Sequence, residues 1–456
     1  MKIGLLDHMG YGNLGDAATQ EALIANIKVR LPDAEIIGFS LNPDDTRIRH
    51  NIVSYSITHW HPGLNKPEQT GTGRSNRKFE LKPMLKKIPI FSAIVIRVLY
   101  LIREVRHLRR SFIILKSLDS LIIAGGGQLS ELWRGPWSHP YNVFKFSLLT
   151  KLAKKKLLFL NVGAGPLKSI LGRAFIRYSI NVADYVSFRD VQSQTLVHQL
   201  GVKRETHVLP DSAYSLEIPG YRSEITQEMS RPLVGLNPIG FCDPRIWPKQ
   251  DVSAYLRYID NLAEFSRWIL SHNYRLRVYS AEGSVDIYAL KDLKERLLNS
   301  LSTMDVEQIF IPASNSVEDL VGEMSRFDVV VTSKFHGVVM SHLLGKPVIA
   351  LSYHNKIDDL MRAVGHSEYC ANIESFEVED LKKRFISLVE DAAELKGLFR
   401  NAVHSNAAML KGQFDELFVS ENPLPHRPAI DTEKHEGVGD LRISAALVSL
   451  HTRHDQ

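Results

Sequence analysis

Cysteine is nearly absent: Cys242 and Cys370 are the only two in 456 residues. They fit neither a metal-ligand spacing nor a disulfide framework, could close at most one bridge, and agree with a reducing compartment. Long hydrophobic runs are missing too. The most apolar stretch, residues 88–102, is interrupted by Arg97 and falls short of the roughly 20 apolar residues that span a bilayer. The amino terminus, MKIGLLDHMGYGNLGDAA, has no apolar core leading to a small-residue cleavage site, so a cytoplasmic protein is expected. There is no G-x-S-x-G elbow, no H-E-x-x-H and no G-x-x-x-x-G-K-[ST], which counts against the hydrolase and phosphate-loop classes built on them.

Net charge is small except in one place. The formal net charge is +5, yet residues 74–110 hold eleven Lys/Arg against two Asp/Glu, a local +9 that leaves −4 for the remainder. Because this segment is apolar rather than interleaved with exposed aromatics, dedicated nucleic-acid binding is not expected. Two readings stay open: a helix lying on an anionic membrane surface, or a core helix with a solvated basic end.

What the sequence does contain is a rhythm of short apolar runs and helical patterns. Residues 2–7 (KIGLLD) read as a buried strand, and Gly10-x-Gly12-Asn13-x-Gly15-Asp16 then opens a helix. That spacing is the dinucleotide fingerprint, but the second strand, residues 35–41, has its only acid at its start, where it cannot reach a ribose. The more general expectation is that bare N–H groups at the helix start suit a phosphate, carboxylate or sugar oxygen. A third strand-like run covers 52–57, and a Gly/Pro/Asn-rich loop is expected over 61–76. Strand-then-glycine units recur at 118–127 (LDSLIIAGGG), leading to Gln128 and Glu131, and at 156–166 (KLLFLNVGAGP). Residues 185–190 place Arg189 at a strand end, and residues 207–214 place Asp211.

After a polar linker around 215–232 a second series begins, with strands expected at 233–241, 276–280 and 308–312. It culminates in residues 327–354, FDVVVTSKFHGVVMSHLLGKPVIALSYH, two continuous apolar runs separated by a helix. Such runs are adjacent parallel strands covered on both faces. The chain therefore reads as α/β: two Rossmann-like domains, residues 1–215 and 230–375, facing a central cleft. Helices over 376–420 and a disordered tail over 421–456 complete it.

In open parallel sheets, ligands bind beyond the carboxyl ends of the strands. The first domain puts Gly12, Asn13, Gly15, Asp16, Gly126, Gly127, Gln128, Glu131 and Arg189 there, and the second puts Lys334, His336, Tyr353 and Lys356 there. Arg189, Lys334 and Lys356 supply cationic charge for a small dianion, and a histidine suits proton transfer. Blander roles fit as well. Arg189 could pair locally with Asp190, His336 could cap its helix, and Asp211 reads as tying a turn.

These residues resemble the polysaccharide pyruvyl transferases. The likeness lies in G-x-G-N-x-G-D (10–16), D-x-L-I-I-x-G-G-G (119–127), N-V-G-A-G-P (161–166), S-x-R-D (187–190) and L-P-D (209–211). Most of all it lies in S-K-F-H-G followed by G-K-P-V-I-x-L-S-Y-x-x-K, ending at Lys356, with the matches running in order over about 1–370. The resemblance implies a GT-B-like pair of domains, the first on the acceptor side and the second on the donor side. It also implies transfer of a pyruvyl group from phosphoenolpyruvate to a sugar of a cell-surface polysaccharide or its lipid-linked precursor, giving a ketal.

By the same resemblance Arg189 binds the donor's anionic groups and His336 does acid/base work, with Lys334, Tyr353 and Lys356 on the donor side. No cofactor or metal is implied, phosphoenolpyruvate being a donor substrate. Lys334 stands where the family has arginine, which keeps the charge and loses the bidentate fork. Phe335 stands for leucine. A GT-B glycosyltransferase using a nucleotide sugar and a non-catalytic saccharide-binding family member are the alternatives. Peripheral membrane contact through 74–110 would suit a glycolipid acceptor.

Overall fold

A computed structural model describes residues 1–6, 10, 12–59, 89–132, 135–218 and 231–419. All of them fall within one unit, Met1–Pro423. The loop expected over 61–76 and the tail over 421–456 lie outside the described residues, as does part of the linker.

The apolar runs of the first half are β1 (Lys2–Leu6), β2 (Glu35–Ser40), β3 (Val53–Ser56), β4 (Ser120–Ala124), β5 (Lys156–Val162), β6 (Tyr185–Phe188) and β7 (His207–Val208). They form a parallel sheet in the order β3-β2-β1-β4-β5-β6-β7. Its chain order reverses between β1 and β4, the crevice where open sheets bind ligands. The second half supplies β8 (Leu233–Asn237), β9 (Arg275–Val278), β10 (Val329–Thr332), β11 (Val348–Ser352) and β12 (Cys370–Asn372), in the order β12-β11-β10-β8-β9. Residues 308–312, expected as a strand, differ: the chain there ends a helix, and only Phe310 makes an isolated bridge to Val278. Ser302 caps that helix through the amide of Asp305, so a local cap overrides a short apolar run.

Helices cover both sheets. The first half has α1 (Leu14–Arg30), α2 (Pro43–His50), α3 (Pro89–Lys116), α4 (His139–Leu152), α5 (Ile170–Val182) and α6 (Val191–Gln199). The second has α7 (Val252–Ser271), α8 (Gly283–Leu298), α9 (Thr303–Ile309), α10 (Val317–Ser325), α11 (Phe335–Leu343), α12 (Asn355–Ala363), α13 (Val378–Glu390) and α14 (Ala392–Phe418). Their starts are legible as caps: Asn42 precedes Pro43 on α2, and Ser316 with Asp319 closes a capping box on α10. Fully buried Ile3, Leu5, Ile122, Phe159 and Leu160 fill the first sheet, and Val330, Val331, Val348 and Ile349 the second. Each such side chain is worth about 1.5–3 kcal/mol in burial.

α14 returns to the first sheet. Gln413 Nε2 donates to Ser187 Oγ at 2.8 Å and Gln413 Oε1 accepts from Asn161 Nδ2 at 3.1 Å, while Arg30 pairs with Asp415 at 2.7 Å. This buried polar contact ties the last helix to β5 and β6, whose ends carry Gly163 and Arg189. No helix among the described residues is long and apolar enough to cross a membrane. Cys242 and Cys370 are both free thiols.

Candidate active site

The carboxyl ends of the two sheets face one cavity of about 740 Å³. Of the residues expected there, Asn13, Gly15, Asp16, Gly126, Gly127, Gln128, Arg189, Lys334, His336, Tyr353 and Lys356 line it, whereas Gly12 and Glu131 do not. Glu131 is turned to the start of α5. Its carboxylate accepts the amides of Lys168 and Ser169 at 2.7 and 2.9 Å and the Ser169 hydroxyl, which commits it to capping. Gly12 serves the turn itself, at φ +73°.

The start of α1 is not bare. Asn13 Oδ1 accepts the amides of Gly15 and Asp16 at 3.0 and 3.3 Å, and the amide of Leu14 donates to the Ala281 carbonyl at 3.0 Å. The expected anion seat is therefore occupied by the protein's own acceptors, one of them from the connection between β9 and α8 in the second half. This stitching brings α1 against α11. The missing side chain of Gly15 leaves the place taken by the imidazole of His336.

His336 meets two groups of the other half. Its Nε2 lies 3.3 Å from Thr19 Oγ1 and 3.8 Å from Asp211 Oδ2. Thr19 Oγ1 is also 3.3 Å from Asp211 Oδ1 and 3.2 Å from the Gly15 carbonyl. Asp211 ties the turn it was expected to tie, accepting the Ala213 amide at 3.0 Å, and faces the histidine as well. Burial would raise its pKa, but the His336 ring, the Arg189 guanidinium and that amide outweigh it and hold the carboxyl well below the usual range.

Arg189 bonds Asp211 through Nη1 at 3.0 Å, while its neighbour Asp190 stands 3.9 Å away and caps α6 through the Ser193 amide. The principal ion pair is thus with Asp211 rather than the adjacent Asp190. The guanidinium lies over the Phe335 ring, 4.4 Å from its centroid. Lys356 approaches the same ring at 5.8 Å and Tyr353 at 5.7 Å. Phe335 is therefore a ring that both cations approach.

Lys334 is arranged differently. Its Nζ lies 2.8 Å from Glu282 and 2.9 Å from Asp286, and Asp286 is fully buried. Burial works against its charge, yet Asp286 and Glu282 outweigh it and raise its pKa. Its charge is matched within the second half by these two carboxylates, and the side chain still lines the cavity. Lys356, by contrast, makes no ion pair among the described residues.

The far end of the cavity is built by residues that the sequence did not single out. Glu104 of α3 accepts from Tyr141 at 2.8 Å and Lys145 at 3.3 Å and pairs with His59, whose ring meets Tyr100 edge-on at 4.4 Å. Burial opposes the charge of Glu104, but Lys145, Tyr141 and His59 lower its pKa. Among the described residues His59 Nε2 is buried with no hydrogen-bond partner. Trp137, 65% exposed, lies at the same end. The segments that carry these side chains are distant in sequence; α3 delivers Glu104 to α4 and to His59 beyond the end of β3.

A UDP-GlcNAc 2-epimerase from Neisseria meningitidis, bound to UDP-GlcNAc, superposes with a TM-score of 0.54 at 10% identity, covering 92% of this chain and 100% of its own. Another UDP-N-acetylglucosamine 2-epimerase gives 0.55 at 11% identity, covering 95% and 99%. A glycosyltransferase from Rickettsia africae gives 0.52 at 11%, covering 92% and 99%. These likenesses establish the GT-B-like fold and nothing narrower. No curated protein matches the sequence. A family profile does: Polysaccharide pyruvyl transferase, over residues 13–355. That span runs from the Asn13 cap to the start of α12 and contains His336, Arg189 and Asp211, so the chain belongs to the polysaccharide pyruvyl transferase family.

Proposed function

We propose that the protein moves the pyruvyl group of phosphoenolpyruvate onto a sugar of a cell-surface polysaccharide or its lipid-linked precursor, forming a pyruvate ketal and releasing phosphate. The observation that carries this reading is His336 of one half set against Asp211 and Thr19 of the other, with Arg189 and Lys356 alongside on Phe335. A proton added to the methylene carbon leaves a cationic centre at C2; an acceptor hydroxyl oxygen bonds to C2 and sheds its proton. The bond from C2 to the phosphate oxygen then breaks, phosphate keeping the electron pair. A second hydroxyl bonds to C2 and sheds its proton, which closes the ketal. His336 supplies or relays the proton, and Arg189 and Lys356 hold carboxylate and phosphate while charge moves. No cofactor enters. Asp211 orients the ring and balances Arg189.

The end formed by Glu104, His59, Tyr141 and Trp137 suits the acceptor, since a hydroxyl-rich ring needs fixed polar partners and an aromatic face. Phosphate release from phosphoenolpyruvate in the presence of extracted glycolipids tests the reaction. Release is expected, and its persistence in His336→Ala would sink the assignment. Thermal shift with phosphoenolpyruvate, set against UDP, GDP and CMP sugars, separates it from a nucleotide-sugar glycosyltransferase, because ligand binding to the native state raises apparent stability.

A further inference from the structure

The described part of α3 turns outward what a helix ordinarily buries. Val98, Leu101, Ile102 and Val105 stand at i, i+3, i+4 and i+7, one face of a helix. All four are exposed, from 41% at Ile102 to 63% at Leu101, and Ile113 further along is 60% exposed. Polar residues lie on the inner side instead: Glu104 and Ser111 are buried. Arg97, Arg103, Arg106, Arg109 and Arg110 stand exposed around the apolar row. Among the described residues none of these arginines has a carboxylate partner, and the one acid of the helix, Glu104, is taken by Lys145 and His59.

We propose that α3 seats the protein on the surface of an anionic phospholipid bilayer, the apolar row entering the headgroup region and the arginines meeting lipid phosphates. A second copy of the chain fits this face poorly, because a two-fold contact would press unpaired arginines against their equivalents. The same helix puts Tyr100 and Glu104 into the cavity wall. A bilayer at α3 therefore lies beside the end where a lipid-linked saccharide would enter, a link that rests on the proposed reaction, whereas the seating does not.

Sedimentation of the full chain with phosphatidylglycerol or phosphatidylcholine vesicles tests it. Partitioning is expected on phosphatidylglycerol only and is lost between about 0.05 and about 0.5 M salt as screening shortens. Reversing Arg103, Arg106 and Arg110 to Glu together should weaken partitioning at least about a hundredfold, with an unchanged circular dichroism melt. Leu101→Asp should weaken it while leaving the charges in place. Equal partitioning on both lipids, binding by the triple variant at wild-type strength, or a dimer by light scattering that Leu101→Asp dissolves would overturn the proposal. Phosphate release is read separately: vesicle binding without turnover supports the seating and counts against pyruvyl transfer, and turnover without vesicle binding does the reverse.

Discussion

The imidazole of His336 stands where a Cβ on Gly15 would be. The glycine that completes the G-x-G-x-x-G spacing thus makes room for a side chain of the other half rather than for a pyrophosphate. Gly15→Ala is expected to displace His336 and cut kcat/KM by about a hundredfold, the scale of a roughly 1 Å misplacement. Gly12→Ala is the control: nothing lies within 4 Å of its Cβ, but its φ is +73°. It should cost about 1–2 kcal/mol of stability and keep turnover within a few-fold. Steady-state kinetics and melting curves on the pair check this, and equal kinetic loss in both would refute it.

Arg189 rests on a second glycine. A Cβ on Gly163 would come 2.8 Å from Arg189 Nε and 2.9 Å from Nη2. Gly163→Ala should therefore raise KM for phosphoenolpyruvate by about tenfold or more while Arg189→Lys, which loses the planar fork, raises it comparably. An unaltered KM in both would remove Arg189 from the donor site.

Removing the Lys334 amine leaves Asp286 and Glu282 with no counter-charge. Lys334→Met is expected to lose about 3–5 kcal/mol of stability, the cost of breaking a buried pair. Adding Asp286→Asn and Glu282→Gln should recover most of it. Phosphoenolpyruvate binding, measured by calorimetry on the triple variant, should stay within a few-fold of wild type. A hundredfold loss there would mean that Lys334 touches the donor.

Glu21 on α1 makes stability depend on pH. Burial pushes its pKa from 4.5 up to about 7, Arg49 opposing and Glu318 adding to the rise. Between those values the native state holds the proton that the unfolded chain has released, so stability is full below about pH 4.5 and falls as pH climbs through about 7. The side chain is 33% exposed, and with that solvent screening the contribution is about 1–2 kcal/mol. Glu21→Gln should melt higher than wild type at pH 8, with the gap closing at pH 4.5. A gap that is constant across this range would show that Glu21 does not titrate as described.

Local pattern carried most of the architecture. Runs such as LIIA after Ser120 and VIAL from Val348 are apolar at every position because both faces of a parallel strand are covered, and that demand is written residue by residue. The turns that follow them put Arg189, His336 and Lys356 at strand ends, where covalent neighbours alone fix position. The roles of the charges were not local. Arg189 pairs with Asp211 rather than the adjacent Asp190, Lys334 is neutralised from α8 and its N-cap, and Thr19 reaches His336 across 317 residues of chain. Glu104 reached the cavity only because α3 packs on α4, and the amides at the start of α1 were filled by Asn13 and Ala281. The sequence by itself determined most of the strands, the turns and the residues at their ends, because periodicity acts over a few residues. Only the tertiary structure decided which cation stays free, since a charge's partner is set by the distances that packing two sheets together creates.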